Sequence, residues 1–151
     1  MKEFNSVDEI LDFAIRTEQE AVDFYMDLAS RSKNEPIKKV FTEFAGEEMK
    51  HKSRLMGIKE EKTLTLTQDK VKDMKIADYM VDVAPSPDMD YADALILAMK
   101  KEKKAFQLYT YLSEQAASPL LKGLFLTLAQ EESRHKLRFE VEYDEYILKE
   151  N

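Results

Sequence analysis

Glu48-Met49-Lys50-His51 and Glu132-Ser133-Arg134-His135 are the two stretches that decide the fold of this chain, because each places a carboxylate and an imidazole three residues apart. Residues three apart on an α-helix lie on one face, with their Cβ atoms about 5–6 Å apart. The chain has only two histidines, and both lie in these Glu-x-x-His motifs. The spacing therefore predicts two helices that each present a carboxylate and an imidazole on the same side.

The two motifs belong to an internal repeat. A shift of 84 residues without a gap gives 14 identities within residues 11–55, where roughly 6% identity is expected by chance. The identical pairs that carry polar groups in the motifs and their partner helices are Glu18 with Glu102, Tyr25 with Tyr109, Glu47 with Glu131, Glu48 with Glu132, and His51 with His135. Two related helical hairpins joined by a long crossover predict an antiparallel four-helix bundle with a pseudo-twofold axis.

The composition supports an all-α protein and excludes several functions. Only 3 Gly and 4 Pro among 151 residues, with 35% charged residues, favour long helices. The net charge of −7 argues against a nucleic-acid partner, and no run of apolar residues is long enough to span a membrane. Because the chain has no cysteine, disulfides, thiolate zinc sites and iron–sulfur clusters are excluded. We expect a single domain over residues 1–151 that works in the cytoplasm.

Capping signals set the predicted helix ends. Helix A begins after the capping box Ser6-Val7-Asp8-Glu9, and helix B follows the Asn34-Glu35-Pro36 signal. Asp90 is the candidate cap of helix C, and Ser118-Pro119 repeats the signal of helix B at the start of helix D. The crossover over residues 61–90 contains a predicted short helix at Gln68–Asp82. Helices A, C and D are predicted at about 7–32, 91–116 and 119–147, and helix B, which follows its cap at Asn34, is predicted to end near Glu60 or Glu61.

A carboxylate interrupts the apolar stripe of each long helix. Glu18 and Glu102 fall between apolar residues of helices A and C, and the two Glu-x-x-His motifs fall in helices B and D. Buried ionised carboxylates are costly unless they are paired or bound to a cation. Four glutamates at one level of a bundle would repel each other, and two divalent cations would neutralise them. The pattern therefore predicts a two-metal site, and mixed carboxylate and imidazole ligands permit iron, manganese or zinc.

These motifs resemble those of a rubrerythrin-type member of the ferritin-like di-iron carboxylate superfamily, and the resemblance covers essentially the whole chain. It implies two iron ions bridged by Glu48 and Glu132. One ion would be completed by Glu18 and His51. The other ion would be completed by Glu102 and His135. In rubrerythrins, a further glutamate three residues after the first one in helix C can join the site, but Ala105 stands at that position here.

Two further pairs are candidates for supporting the ligands. Tyr25 and Tyr109 follow Glu18 and Glu102 by seven residues, so their hydroxyls could donate hydrogen bonds to ligand carboxylates; ordinary bundle aromatics are the alternative. Glu47 and Glu131 stand four residues before each histidine and could orient the imidazoles, with a solvated position as the alternative.

Three functions remain open on this basis. The favoured one is a rubrerythrin-like oxidoreductase that reduces hydrogen peroxide or O₂. The second is a ferroxidase or iron-storage protein, and the third is a metal-binding bundle with little turnover. The rubredoxin domain that rubrerythrins usually carry is absent from these 151 residues, so the resemblance implies a separate electron donor protein. It also implies a homodimer.

Overall fold

The computed structural model describes residues 3–81, 83, 85, 86 and 88–150, with the side chain of Glu150 left out. Within this range the chain is all-α, and no β-strand forms. The elements are α1 (Val7–Arg31), α2 (Glu35–Glu61), α3 (Gln68–Asp73), a 3₁₀ turn (Ile76–Asp78), α4 (Tyr91–Gln115) and α5 (Pro119–Glu150). The chain divides into two compact units, residues 1–75 and 76–151. A single domain over the whole chain stays a prediction.

The first unit is an antiparallel hairpin of α1 and α2, joined by residues 32–34. Side-chain contacts run in opposite directions along the two helices: Lys59 Nζ lies 2.5 Å from Asp12 Oδ1, and Lys52 Nζ donates to Gln19 Oε1 at 2.7 Å. Phe4 packs edge-on against Phe13 of α1, with ring centroids 5.6 Å apart. The N-terminal residues thus contribute to the core of this hairpin.

The second unit is a hairpin of the same design, formed by α4 and α5 around residues 116–118. Ser113 Oγ donates to the carbonyl of Lys122 at 3.0 Å, near the loop. At the other end, the rings of Tyr91 and Tyr146 pack edge-on with centroids 5.1 Å apart. Contacts between early α4 and late α5 make this pair antiparallel too.

The predicted capping side chains accept hydrogen bonds from backbone amides at the helix starts. Ser6 Oγ accepts from the amide of Glu9, but the Glu9 carboxylate accepts from the amide of Asn5 rather than from Ser6. Asn34 Oδ1 accepts from the amide of Ile37, and Asp90 Oδ1 accepts from the amide of Asp93. These bonds satisfy amides that have no partner within their helices. The starts of α1, α2, α4 and α5 therefore lie within one residue of the predicted positions.

The prediction of a helix at Gln68–Asp82 is wrong in its length. Helix α3 ends at Asp73, because Met74 adopts an extended backbone with φ −81° and ψ 123° and its side chain is buried. Lys75 then pairs with Glu3 in an isolated antiparallel bridge, and the 3₁₀ turn follows. Asp82 and two further crossover positions, 84 and 87, lie outside the described residues. The chain after α3 thus pairs with the N-terminal segment instead of continuing the helix.

None of the described helices combines the length and apolar character needed to cross a lipid bilayer. This finding agrees with the charge distribution in the sequence, in which each long helix carries acidic and basic residues.

Candidate metal centre

Three of the predicted ligands meet in the first unit. Glu18 of α1 and Glu48 and His51 of α2 are each about 1% exposed. His51 Nδ1 lies 3.6 Å from Glu18 Oε2 and 3.4 Å from Glu48 Oε1. One potential ligand atom from each residue lies within 4.8 Å of the other two. Two carboxylates and an imidazole therefore converge in the interior.

The other three predicted ligands meet in the second unit in the same way. Glu102 of α4 and Glu132 and His135 of α5 are no more than 1% exposed. His135 Nδ1 lies 3.8 Å from Glu102 Oε1, and the ligand atoms of the three residues are again within 4.8 Å of one another. The contact between Glu102 and His135 lies 84 residues after the contact between Glu18 and His51. The repeat seen in the sequence is thus a repeat of geometry.

The antiparallel hairpins explain why these residues meet. The three-residue spacing puts Glu48 and His51 on one face of α2, and that face packs against α1 at the level of Glu18. The neighbouring contact between Lys52 and Gln19 fixes the same register at the edge of the hairpin. Since this register follows from the short loop at residues 32–34, the loop length helps to place the ligands.

The donor atoms fit a divalent transition metal. Carboxylate oxygen and imidazole nitrogen bind such ions at about 2.0–2.2 Å. Two ligand atoms at that distance, subtending between 90° and 180° at one ion, lie about 3.0–4.4 Å apart. The observed nitrogen-to-oxygen separations of 3.4, 3.6 and 3.8 Å lie within this range.

The histidine geometry identifies the nitrogen that would bind metal. In both units Nδ1 is the ring nitrogen that faces the carboxylates. An imidazole that binds metal through Nδ1 must carry its proton on Nε2. The Nε2–H group would then need a hydrogen-bond acceptor away from the ligand carboxylates.

The supporting residues differ in their burial. Tyr25 and Tyr109 are buried, at 0% and 1% exposure, and Tyr109 stacks on Phe125 with ring centroids 6.4 Å apart. Glu47 and Glu131 are half-buried. Roles for these tyrosines and glutamates in orienting the ligands stay predictions.

The sequence of the chain matches a known family. The profile of the rubrerythrin family matches residues 9–83 and 93–151, which include all six candidate ligands. The chain belongs to the rubrerythrin family. Together with the buried Glu and His clusters, this membership supports a di-iron carboxylate protein. Among curated proteins, none matches this rubrerythrin-family chain.

Two solved structures are similar to this member of the rubrerythrin family. A hypothetical protein from Pyrococcus furiosus is 27% identical, with a TM-score of 0.72 over 92% of this chain and 89% of its own. A Thermotoga maritima protein, assigned to the ferritin-like diiron-carboxylate proteins, is 23% identical, with a TM-score of 0.75 over 97% and 99%. The fold class is therefore ferritin-like and all-α, as the sequence predicted.

One buried acidic residue was not singled out from the sequence of this rubrerythrin-family chain. Glu142 of α5 is only 7% exposed, and its Oε2 accepts a hydrogen bond from the hydroxyl of Tyr91 at 3.5 Å. Burial is the main cause that raises the pKa of Glu142, and nearby Glu145 raises it further. Glu142 follows His135 by seven residues, so its place in the same helical stripe could have revealed it.

Proposed function

We propose that this chain is a non-haem di-iron oxidoreductase of the rubrerythrin type that reduces hydrogen peroxide, or O₂, in the cytoplasm. The observation that carries the proposal is the duplicated buried set of two carboxylates and one imidazole. Glu18, Glu48 and His51 form it in one unit, and the residues 84 positions later form it in the other. Two such sets would destabilise a bundle without bound metal, because burying charged groups costs free energy.

The proposed ligand set is the symmetric six of the sequence prediction. Glu18 with His51, and Glu102 with His135, would each hold one iron ion, and Glu48 and Glu132 would be shared between the two ions. Four glutamates supply four negative charges, which balance two divalent cations. Oxygen-rich ligands favour the ferric state, so such a set favours transfer of electrons out of bound iron. Manganese or zinc fit the same donors.

The reaction needs two electrons and two protons for each H₂O₂ that becomes two H₂O. A bound pair of ferrous ions would supply the two electrons, one from each ion. These 151 residues contain no cysteine, so no thiolate-bound iron centre within them restores the ferrous state. We therefore propose a separate electron donor protein, and we expect the oxidoreductase to be a homodimer.

Anaerobic loading with ferrous iron tests the proposal. After removal of unbound metal, the iron content is measured, and H₂O₂ or O₂ is added in separate stopped-flow experiments that follow ferric absorption. We expect two irons per chain and faster oxidation by one equivalent of H₂O₂ than by O₂. Accumulation of many irons per chain would instead favour a ferroxidase or storage protein. Absence of stoichiometric metal would refute both functions.

A double substitution tests the ligand assignment. Glu48→Ala combined with Glu132→Ala should abolish binding of paired metal while the helices remain. Substitution of Glu43 and Asp144, exposed acidic residues of the same two helices, is the matched control and should leave two irons bound. Two irons in the Glu48/Glu132 variant would show that the assignment is wrong.

A further inference from the structure

The second unit contains a surface groove that the metal centre does not use. It has a volume of about 370 Å³ and combines aromatic, acidic and neutral polar side chains: Asp78, Tyr79, Phe106, Gln107, Thr110, Tyr111 and Glu114. We call these seven residues the aromatic groove. Its volume lies within the range of about 300–1,000 Å³ that is usual for small-ligand pockets.

One face of α4 and the end of the 3₁₀ turn form the aromatic groove. Each of the five α4 residues lies three or four positions from another of them, which places them on neighbouring turns of one helical face. Lys104 Nζ donates to the main-chain carbonyl of Asp78 at 3.1 Å, which ties the turn to α4. The groove is therefore built from two elements of one unit.

The aromatic groove contains two carboxylates and three aromatic rings, and the Lys104 ammonium lies at its edge against the carbonyl of Asp78. Asp78 and Glu114 are exposed, Phe106 is 39% exposed, and none of the seven lining residues is basic. Burial raises the pKa of Tyr79 to about 12, and the nearby Tyr111, Asp78 and Glu114 contribute. The phenol thus stays neutral at physiological pH, and the negative charge comes from the carboxylates. Rings beside carboxylates attract organic cations, because the face of each ring is also negative.

Thr110 of the aromatic groove differs from other helical threonines of this chain in its hydrogen bonding. Its Oγ1 atom is buried and has no hydrogen-bond partner. Thr17, Thr42 and Thr127 each donate to the carbonyl four residues earlier in their own helix. Thr110 does not follow this usual pattern of helical threonines. Because Oγ1 is not exposed to the groove, it does not contribute to the recognition of a ligand.

The internal repeat shows that the hairpin design does not require the aromatic groove. The α1 positions 84 residues before its five α4 residues are Val22, Asp23, Met26, Asp27 and Ser30, and none is aromatic. The metal ligands, in contrast, are the same in both units. The groove is thus a feature of the second unit alone.

We propose that the aromatic groove binds an arginine side chain of a partner protein. A guanidinium group is planar and permanently charged, so it can stack on Phe106 or Tyr111 while it donates to Asp78 or Glu114. Its five N–H donors also exceed what two carboxylates need and leave a donor for Gln107 Oε1. Because the rim is open to solvent, a side chain anchored on a partner fits better than a small cation that needs enclosure.

Nuclear magnetic resonance titration of the full-length protein tests this proposal. The probes are N-acetyl-arginine methylamide and its neutral isostere, N-acetyl-citrulline methylamide, at low ionic strength. For a single side chain we expect a Kd on the order of 1 mM for arginine. Citrulline should bind at least about fivefold more weakly, because it lacks the charge. The shifts should lie on α4 and the 3₁₀ turn.

Three variants locate the binding. Phe106→Leu removes the ring but keeps an apolar side chain, and Glu114→Gln removes one charge; each should weaken arginine binding about two- to fivefold. Phe106→Tyr keeps an aromatic ring at this position, so this variant should bind arginine as tightly as the unaltered protein does. Asp144→Asn makes the same charge change as Glu114→Gln at an exposed position of α5 and should have no effect.

Several results would overturn the proposal. Equal binding of citrulline and arginine would exclude recognition of charge, and tighter binding of N-acetyl-lysine methylamide would exclude a guanidinium-specific groove. Chemical-shift changes confined to residues outside the aromatic groove would exclude the site. Unchanged arginine affinity of both the Phe106→Leu and the Glu114→Gln variants would exclude it too. Since Phe106 and Glu114 are exposed, circular dichroism should show both variants folded.

Discussion

Replacing the two proposed bridging carboxylates by amides should have opposite effects on stability with and without metal. The perturbation is Glu48→Gln combined with Glu132→Gln, which keeps the shape of each side chain and removes its charge. In each unit, a ligand atom of the replaced residue lies within 4.8 Å of one on a second buried glutamate. Charge removal should therefore favour the metal-free fold.

The magnitude follows from these distances. Two ionised carboxylates 4.8 Å apart repel each other by about 3.5 kcal/mol at an effective dielectric constant of about 20. The variant removes one such repulsion in each unit. Because local relaxation and the lost contact of Glu48 with His51 Nδ1 at 3.4 Å offset much of the sum, we expect the metal-free variant to gain about 1–3 kcal/mol in the free energy of unfolding. Metal at 100 times its Kd should stabilise the unaltered protein by about 5 kcal/mol when two ions bind. The variant should lose this gain.

The assay is urea unfolding followed by circular dichroism, under anaerobic conditions, with metal removed by chelator or with excess ferrous iron. Manganese serves as a parallel that does not react with O₂. The control, Glu43→Gln with Asp144→Asn, makes the same charge change at exposed sites on the same helices and should keep the metal-dependent stabilisation. If the Glu48/Glu132 variant keeps that stabilisation, or is less stable than the unaltered protein without metal, the electrostatic reasoning is wrong.

Three further predictions concern single residues. Lys62 has a left-handed backbone with φ 55° at the end of α2, where its amide donates to the carbonyls of Ile58 and Lys59. Because glycine adopts this conformation without strain, Lys62→Gly should raise the free energy of unfolding by about 0.5–1 kcal/mol, whereas Lys62→Ala should not. Urea unfolding measures both changes. Because the pKa of Glu142 is raised in the fold, mainly by burial, its ionisation lowers stability as pH rises through the folded-state pKa. Glu142→Gln should therefore be increasingly more stable than the unaltered protein between pH 4 and pH 7, and a constant difference would contradict this reasoning. Asp90→Ala removes the cap that accepts from the amide of Asp93 and should cost about 1 kcal/mol, while Asp90→Asn should cost much less in the same assay.

Much of the fold was predictable because the signals that define it are local. A capping side chain contacts an amide three residues away, so Ser6 and Asp90 fix helix starts without knowledge of the tertiary structure. The crossover was less predictable, because Lys75, two residues after α3, forms an antiparallel bridge and an ion pair with Glu3, 72 residues earlier in the chain. A non-local cause of this kind leaves no helix-ending signal in the sequence.

The candidate metal centre was also predictable from the sequence only in part. The 84-residue repeat and the carboxylates within the apolar stripes predicted six candidate ligands, and the Glu-x-x-His spacing placed two pairs of them each on one helical face. The contact of Glu18 with His51 joins residues 33 positions apart, and the structure was needed to show it and to show that Nδ1 faces the carboxylates. The sequence therefore determined which residue types repeat and where the helices begin. Only the tertiary structure decided which side-chain atoms meet, how deeply Glu142 is buried and that Tyr79 joins Phe106 in one groove, because rotamers and contacts between distant segments depend on packing.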